Sequence, residues 1–399
     1  MCFTPFPGIF ISMIQRLILT ITIVFFGSIV SAQEIGHTTF TFVDQARNGR
    51  EIETEIYYPA ITAGDDTPIA EGTFPIIALG HGFLMNTDAY ENYWQALVPQ
   101  GYILALPTTE GSISPSHDDF GQDLRFLITA IQNTGVGSVV PASSVASTSA
   151  IMGHSMGGGS SFLATENNAD VTTMVTFAAA NTNPSAIDAA LQVAVPTLLF
   201  SGENDCVTPP AEHQDLMYDN TSADYKTQVT INGGGHCFFA NDNFNCSFGE
   251  GFCSPNPTIT RPEQQDVTQT FLQPWLAYYL KNDCEKGQEF QDSLTTSSRI
   301  QYQQSLPITC TVDIDSEWSA TSGVHMYPNP VVSNMVIEST IEPIYNVTLY
   351  NMMMQSIGTY TFPGTKTANI DLSTLSGGMY FIRCNEGGVK WIMKANQTE

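Results

Sequence analysis

The sequence predicts an α/β protein built on a mostly parallel, doubly wound sheet and followed by a small C-terminal β-sandwich. Short runs that are apolar on both faces recur through the first part of the chain, with helix-like segments between them. That is the pattern of strands covered by helices on each side of a parallel sheet. After about Asp283 this rhythm gives way to Gln, Ser and Thr, and from Val324 a different, alternating pattern begins. At 399 residues with 42% hydrophobic composition, the chain can bury a full enzyme core and still form a smaller second unit.

The elements follow in order. Arg16 precedes the apolar run Leu17 to Val30, and Val30-Ser31-Ala32 offers small residues before a cut near Gln33, so residues 1–32 read as a signal peptide. The competing reading is a membrane anchor, but the run falls short of the roughly 20 residues that span a bilayer, and no stable span is expected in the mature protein. Met13 offers an alternative start that would give a shorter basic leader. A main domain is expected over 33–290. It opens with an antiparallel pair, Thr38 to Val43 and Glu51 to Tyr58, whose residues alternate. The buried strands follow at Pro75 to Leu79, Tyr102 to Pro107, Ala150 to Gly153, Thr173 to Ala179, Pro196 to Ser201 and Gln228 to Ile231. Helices fill the gaps at Asp88 to Leu97, Asp118 to Gln132, Met156 to Glu166 and Pro210 to Tyr218, and Glu263 to Lys281 closes the domain.

A linker is expected over 291–322, and a C-terminal domain over 323–399 with strands at Met335 to Glu338 and Asn346 to Tyr350. This tail carries Tyr327-Pro328-Asn329-Pro330, Leu349-Tyr350-Asn351, Ile370-Asp371-Leu372, Gly378-Met379-Tyr380 and basic residues at Lys390 and Lys394. As a set they resemble the sorting domain that directs Bacteroidetes proteins through type IX secretion. The resemblance implies export through the periplasm to the medium or cell surface, with the type IX machinery as partner. A generic adhesion or carbohydrate-binding sandwich is the alternative.

Charge and cysteines narrow the partners. With 39 acidic against 13 basic side chains, the formal charge of −26 repels polyanions, which disfavours nucleic acid and anionic membrane surfaces. Beyond Cys2 in the leader lie Cys206, Cys237, Cys246, Cys253, Cys284, Cys310 and Cys384, and export makes disulfides plausible. Cys246 and Cys253 bracket a short loop, a Cys206 to Cys237 bridge would tie two further loops together, and Cys310 is placed to reach Cys284. No metal is expected at these thiols, because no Cys-x-x-Cys pair and no His-Glu-x-x-His occurs.

The strongest chemical signal is Gly153-His154-Ser155-Met156-Gly157, set between the strand-like Ser149 to Met152 and a helix-like stretch. A sharp strand-to-helix turn projects its serine outward, and flanking glycines let the two elements approach. A serine hydroxyl is a weak nucleophile until a base takes its proton, and the base needs an acid to hold its tautomer. In such folds the partners follow in the order acid then base, each just beyond a strand. Asp205 follows the apolar run ending at Gly202, and His236 follows Gln228 to Ile231. Of the seven histidines, His154 lies inside the turn, His81 in an early loop, and His37, His117, His213 and His325 lack the right strand-end context. Glu203 and Asp188 compete with Asp205 for the acid. Backbone N–H groups of Met156 and Phe83, the latter after Gly80-His81-Gly82, are the expected donors to a tetrahedral oxyanion.

With these residues placed, the region from about Phe40 to Lys281 resembles the α/β-hydrolase superfamily. More narrowly it is similar to the cutinase-like and polyethylene terephthalate hydrolase group with its dienelactone-hydrolase-type relatives, through Gly153 to Gly159, Pro196 to Pro210 and Ile231 to His236. The resemblance implies a lidless surface cleft, hydrolysis of carboxylic esters without a cofactor, and Phe83 lining the acyl site beside Met156. The tryptophan usual in polyester hydrolases after the next strand is missing from Ala178 to Asp188. The expected function is a secreted serine carboxylic-ester hydrolase acting through an acyl-enzyme, with polyester as one substrate class. The alternatives are a lipase- or chlorophyllase-like esterase, a peptidase using the same triad, and a non-catalytic binding protein on a hydrolase scaffold.

Overall fold

The computed structural model describes residues 33–309, 324–340, 342–351, 355–385 and 389–394. The signal peptide expected over 1–32, Cys310 and the rest of the expected linker to residue 322 lie outside the described residues. The described chain forms two compact units that divide between Ile308 and Thr309.

In the first unit the elements run β1 (Glu34–Asp44), β2 (Arg50–Ala60), β3 (Gly64–Asp65), β4 (Phe74–Gly80), α1 (Glu91–Leu97), β5 (Ile103–Pro107), α2 (His117–Thr134), β6 (Val145–His154), α3 (Met156–Thr165), β7 (Thr173–Phe177), α4 (Ala186–Ala190), β8 (Thr197–Gly202), α5 (Gln214–Asn220), β9 (Lys226–Ile231), α6 (Phe244–Glu250), α7 (Arg261–Lys281), α8 (Cys284–Thr296) and β10 (Ile300–Gln304). The sheet order is β10-β9-β8-β7-β6-β4-β5-β2-β1-β3. Neighbours from β5 to β9 are parallel, whereas β2 joins β5 and β10 joins β9 antiparallel. This is the mostly parallel, doubly wound sheet that the apolar runs predict.

Every residue of β4, β7 and β8 is buried, as a strand covered on both faces requires. Alternation then divides the side chains between two cores. From β4, Ile77 and Leu79 join Tyr90, Phe177, Phe200 and Trp275 on one face, while Ile76 and Ala78 join Ile103, Leu124, Ile128 and Ile151 on the other. Each such large apolar side chain contributes about 1.5–3 kcal/mol on burial, which makes the sheet a rigid base for loops at its carboxyl edge. Helix α7 starts on a capping box, in which the Thr260 hydroxyl accepts from Glu263 N–H and the Glu263 carboxylate accepts from Thr260 N–H.

The linker expected from residue 291 is ordered in its first part. Helix α8 buries Gly287, Phe290 and Leu294, and β10 adds an edge strand in register with β9 from Ile300↔Ile231 to Gln304↔Thr227. Both are polar outside that narrow stripe, so composition alone reads them as loop. Cys284 at the start of α8 is disulfide-bonded.

The second unit runs β11 (Val324–Tyr327), β12 (Asn334–Ser339), β13 (Ile344–Tyr350), β14 (Ser356–Thr365), β15 (Thr367–Asp371), β16 (Gly378–Cys384) and β17 (Val389–Lys394). The sheets β11-β12-β15 and β14-β13-β16-β17 share a core of residues including Val331, Ile337, Val347, Leu349, Ile370 and Ile382. This is the predicted β-sandwich.

Candidate active site

The chain turns sharply from β6 into α3 at Ser155, whose φ of 54° and ψ of −116° lie in a region that costs a side-chain-bearing residue of order 1–3 kcal/mol. The turn is clamped on both sides. Ser155 N–H donates to Phe177 O at 2.9 Å, and its carbonyl accepts from Ala180 N–H at 2.9 Å and Gly159 N–H at 3.0 Å. A Cβ at Gly153 would lie 2.2 Å from Gly157 O, and one at Gly157 would lie 2.2 Å from Gly80 O. Only glycine lets α3, β6 and the loop after β4 approach this closely.

The three expected side chains meet at this edge. His236 Nε2 lies 2.9 Å from Ser155 Oγ, and its Nδ1 lies 2.8 Å from Asp205 Oδ2. An ionised carboxylate only accepts, so Nδ1 carries the proton and Nε2 faces the serine as an acceptor. Asp205 and His236 are buried, while Ser155 keeps partial access to solvent. Asp205 Oδ1 accepts from the N–H groups of Val207 and Thr208, each at 2.8 Å, and Oδ2 also accepts from Thr208 Oγ1 at 2.8 Å. Burial would raise this carboxyl, but His236 beside it and these hydrogen bonds outweigh burial and hold it below its ordinary value.

The rival groups are engaged elsewhere. Glu203 Oε2 accepts from Gly233 N–H at 2.7 Å, and Asp188 lies in the first turn of α4, where Ser185 caps its N–H. His154 is buried, with Nδ1 3.0 Å from Tyr90 Oη and Nε2 3.0 Å from His236 O. Met156 opens α3, where the first N–H groups of a helix have no intrahelical acceptor, and its side chain is buried. Phe83 follows the loop that packs on Gly157, and its ring is 47% exposed.

Several supports are invisible in the sequence pattern. Gln264 in α7 grips the peptide before the base, its Oε1 accepting from Gly235 N–H at 2.8 Å and its Nε2 donating to Gly235 O at 2.8 Å. Arg261 donates to the carbonyls of Cys237 and Ala240. Buried Glu250 accepts from Cys237 N–H at 3.0 Å. Thr208 adds its hydroxyl to the acid. A helix N-terminus rich in polar residues was the one available signal for Gln264 and Arg261.

The cysteine pairs differ from those expected. Cys206 bonds Cys253 and Cys237 bonds Cys246, with Cα–Cα distances of 5.3 and 5.7 Å. Cys246 lies on helix α6 and Cys253 just beyond it, and each bonds across to the loop that carries His236 or Asp205 respectively. Asn245 Nδ2 also donates to Leu84 O at 2.7 Å, which ties α6 to the Phe83 loop. On α6 and just beyond it, Phe244, Phe248 and Phe252 are 81%, 63% and 77% exposed, with successive ring centroids 6.2 and 5.4 Å apart.

Among the described residues, His154, His236 and Cys246 bring three potential metal-ligating atoms within 4.8 Å of one another. Cys246 is oxidised, and the histidine nitrogens are committed to Tyr90, Asp205, Ser155 and the His236 carbonyl, so this donor set is already used.

A family model described as PET hydrolase-like matches residues 34–252, and one described as a secretion system C-terminal sorting domain matches residues 325–395. No curated protein matches the chain. No helix among the described residues is long and apolar enough to cross a membrane.

Proposed function

The chain belongs to the PET hydrolase-like family and carries a type IX sorting domain that marks it as secreted or cell-surface, and from that premise we propose that it is a serine carboxylic-ester hydrolase working through an acyl-enzyme on Ser155. The observation that carries the reading is the unbroken line of hydrogen-bond distances from Asp205 through His236 to Ser155, an order in which a carboxylate that only accepts leaves Nε2 free to take the serine proton.

His236 Nε2 takes the Ser155 proton as Oγ attacks the ester carbonyl. The oxygen of the tetrahedral intermediate is held by the N–H groups of Met156 and Phe83, each worth about 2.7–4 kcal/mol of barrier. Asp205 stabilises the imidazolium, which then gives its proton to the leaving alcohol, so that the C–O bond breaks and the acyl group stays on Ser155. A water, deprotonated by the same ring, attacks the acyl-enzyme carbonyl; the acyl–Oγ bond breaks, the ring returns its proton to Ser155 Oγ and the acid leaves. In the proposed domain organisation, residues 33 to about 308 do this chemistry, and the tail from about Val324 serves export.

Esters with large apolar acyl groups fit best. The three exposed phenylalanines on and after α6 sit on the segment bonded to both the acid and base loops, and Phe83 adds a fourth partly exposed ring. Exposed rings grouped this way fit apolar or aromatic surfaces, which favours a polyester over a small soluble ester.

Ser155→Ala should abolish hydrolysis of p-nitrophenyl butyrate and labelling by a fluorophosphonate. An active variant would overturn the mechanism, and an unlabelled parent would favour a binding protein. Replacing Phe244, Phe248 and Phe252 by Ser should lower the ratio of terephthalate release from film to soluble-ester hydrolysis at least about tenfold, since even one ring buried against the film contributes about 1.5–3 kcal/mol. An unchanged ratio, or preference for triglyceride over film, would point to a lipase-like esterase.

A further inference from the structure

Behind the triad lies a buried chain of hydrogen bonds that the mechanism does not use. Tyr90 and His154 are both completely buried. Tyr90 Oη accepts from Gly82 N–H at 2.7 Å and lies 3.0 Å from His154 Nδ1, while His154 Nε2 lies 3.0 Å from the backbone carbonyl of His236. A carbonyl only accepts, so Nε2 carries the ring proton, Nδ1 is an acceptor, and the Tyr90 hydroxyl donates to it. One proton order thus satisfies each link from Gly82 to His236. Burial, with His236 nearby, pushes the His154 imidazole down to about 3, so the ring is neutral at neutral pH.

The peptide after Gly82 is fixed as well. Its carbonyl accepts from Met85 N–H at 3.0 Å and faces His81 Nδ1 at 2.9 Å. In a trans peptide the next N–H points opposite to that carbonyl, so these contacts aim the Phe83 N–H. Among the described residues that N–H has no protein acceptor.

We propose that Tyr90 and His154 are positioning residues for acyl transfer, locking the loop that presents the Phe83 N–H to the backbone of His236, so that the oxyanion donor and the base keep one spacing. The relay joins the loop after β4, the nucleophile turn and the base loop, three segments distant in sequence. Apolar side chains could fill the same space, but they would leave Gly82 N–H and His236 O without partners. The proposal rests on the serine-hydrolase reading above.

The test uses the full chain and the variants Tyr90→Phe, His154→Phe and His154→Gln, with kcat and KM for p-nitrophenyl butyrate and Tm measured for each. Tyr90→Phe keeps the ring and its packing, and kcat should fall about 10–100-fold, because oriented oxyanion donors act in the transition state, while KM moves less than about threefold. His154→Gln keeps one donor and one acceptor and should recover at least about tenfold of the kcat lost in His154→Phe. A purely structural role would lower Tm and leave the kcat of folded protein alone. A folded Tyr90→Phe enzyme with kcat within about twofold of the parent, or a Gln variant no better than Phe, would overturn the proposal. If Tyr90→Phe does not fold, the His154 pair decides. Fluorophosphonate labelling of the parent separates the two readings: without labelling both fall, and with labelling and an unaffected Tyr90→Phe enzyme only the relay falls.

Discussion

Replacing Asp205 by Asn tests the site at its most specific point. The carboxylate accepts on Oδ1 from two backbone N–H groups, of Val207 and Thr208, and on Oδ2 from Thr208 Oγ1 and His236 Nδ1, all at 2.8 Å. An asparagine must turn its oxygen to the two backbone donors, because its NH2 group cannot accept them. That NH2 then faces His236 Nδ1, which must become the acceptor, and the ring proton moves to Nε2. The base now points a proton at Ser155 and cannot take one. Loss of the working tautomer of this kind costs about 10⁴ in kcat, equivalent to about 5.5 kcal/mol of barrier at about 1.4 kcal/mol per decade. The assay is kcat on p-nitrophenyl butyrate at neutral pH, with Tm measured in parallel to confirm folding. Glu203→Gln is the control, since Glu203 binds Gly233 N–H and not the ring, and its kcat should stay within about threefold. A folded Asp205→Asn enzyme within about tenfold of the parent would refute the tautomer reasoning.

Stability should fall in mild acid. His154 is held at about 3 against an ordinary 6.5 by burial and by His236, so below pH 6.5 the unfolded chain binds a proton that the folded one does not. Stability therefore drops by about 1.4 kcal/mol per pH unit, or about 2 kcal/mol by pH 5. Asp205 acts in the same direction only at lower pH, because a carboxyl held low keeps its full contribution above its ordinary value of 3.8 and loses it as pH falls from there through the folded value. Chemical denaturation at pH 7 and pH 5 checks this, and His154→Gln should flatten the slope; an unchanged slope would refute the assignment. The two disulfides should differ in worth: Cys206–Cys253 closes a separation of 47 residues and Cys237–Cys246 one of 9. Chain entropy gives about 4 and about 2.6 kcal/mol for these loops, so Cys206→Ser/Cys253→Ser should lose more stability in denaturant titrations than Cys237→Ser/Cys246→Ser. The reverse order would show that native contacts of α6 outweigh loop closure.

Much of this was legible in the sequence. The strand Pro75 to Leu79 is apolar throughout and Pro196 to Ser201 is apolar but for Thr197 and Ser201, as segments buried on both faces demand. The turn at Ser155 announced itself because close approach admits only glycine at Gly153 and Gly157. Asp205 and His236 could be chosen because a parallel sheet delivers the loops after its strands to one edge, in chain order. Helix α8 and strand β10 were hidden, since α8 needs apolar residues on only one stripe, and an edge strand such as β10 buries little beyond Ile300.

The sequence by itself therefore determined the parallel sheet, the sharp turn at Ser155 and the strand-end positions of Asp205 and His236, because periodicity and steric demand act over a few residues. The tertiary structure alone decided which cysteines pair, how Thr208 and Gln264 hold the acid and base, and that Tyr90, His154 and the His236 carbonyl form one relay. Outside the local Asp205–Thr208 contact, they join residues 9 and 47 apart in the disulfides, 29 apart in Gln264 with Gly235, 64 in Tyr90 with His154 and 82 in His154 with His236. Their partners are set by where the folded sheet delivers each loop, and no local pattern of residue types encodes that distance.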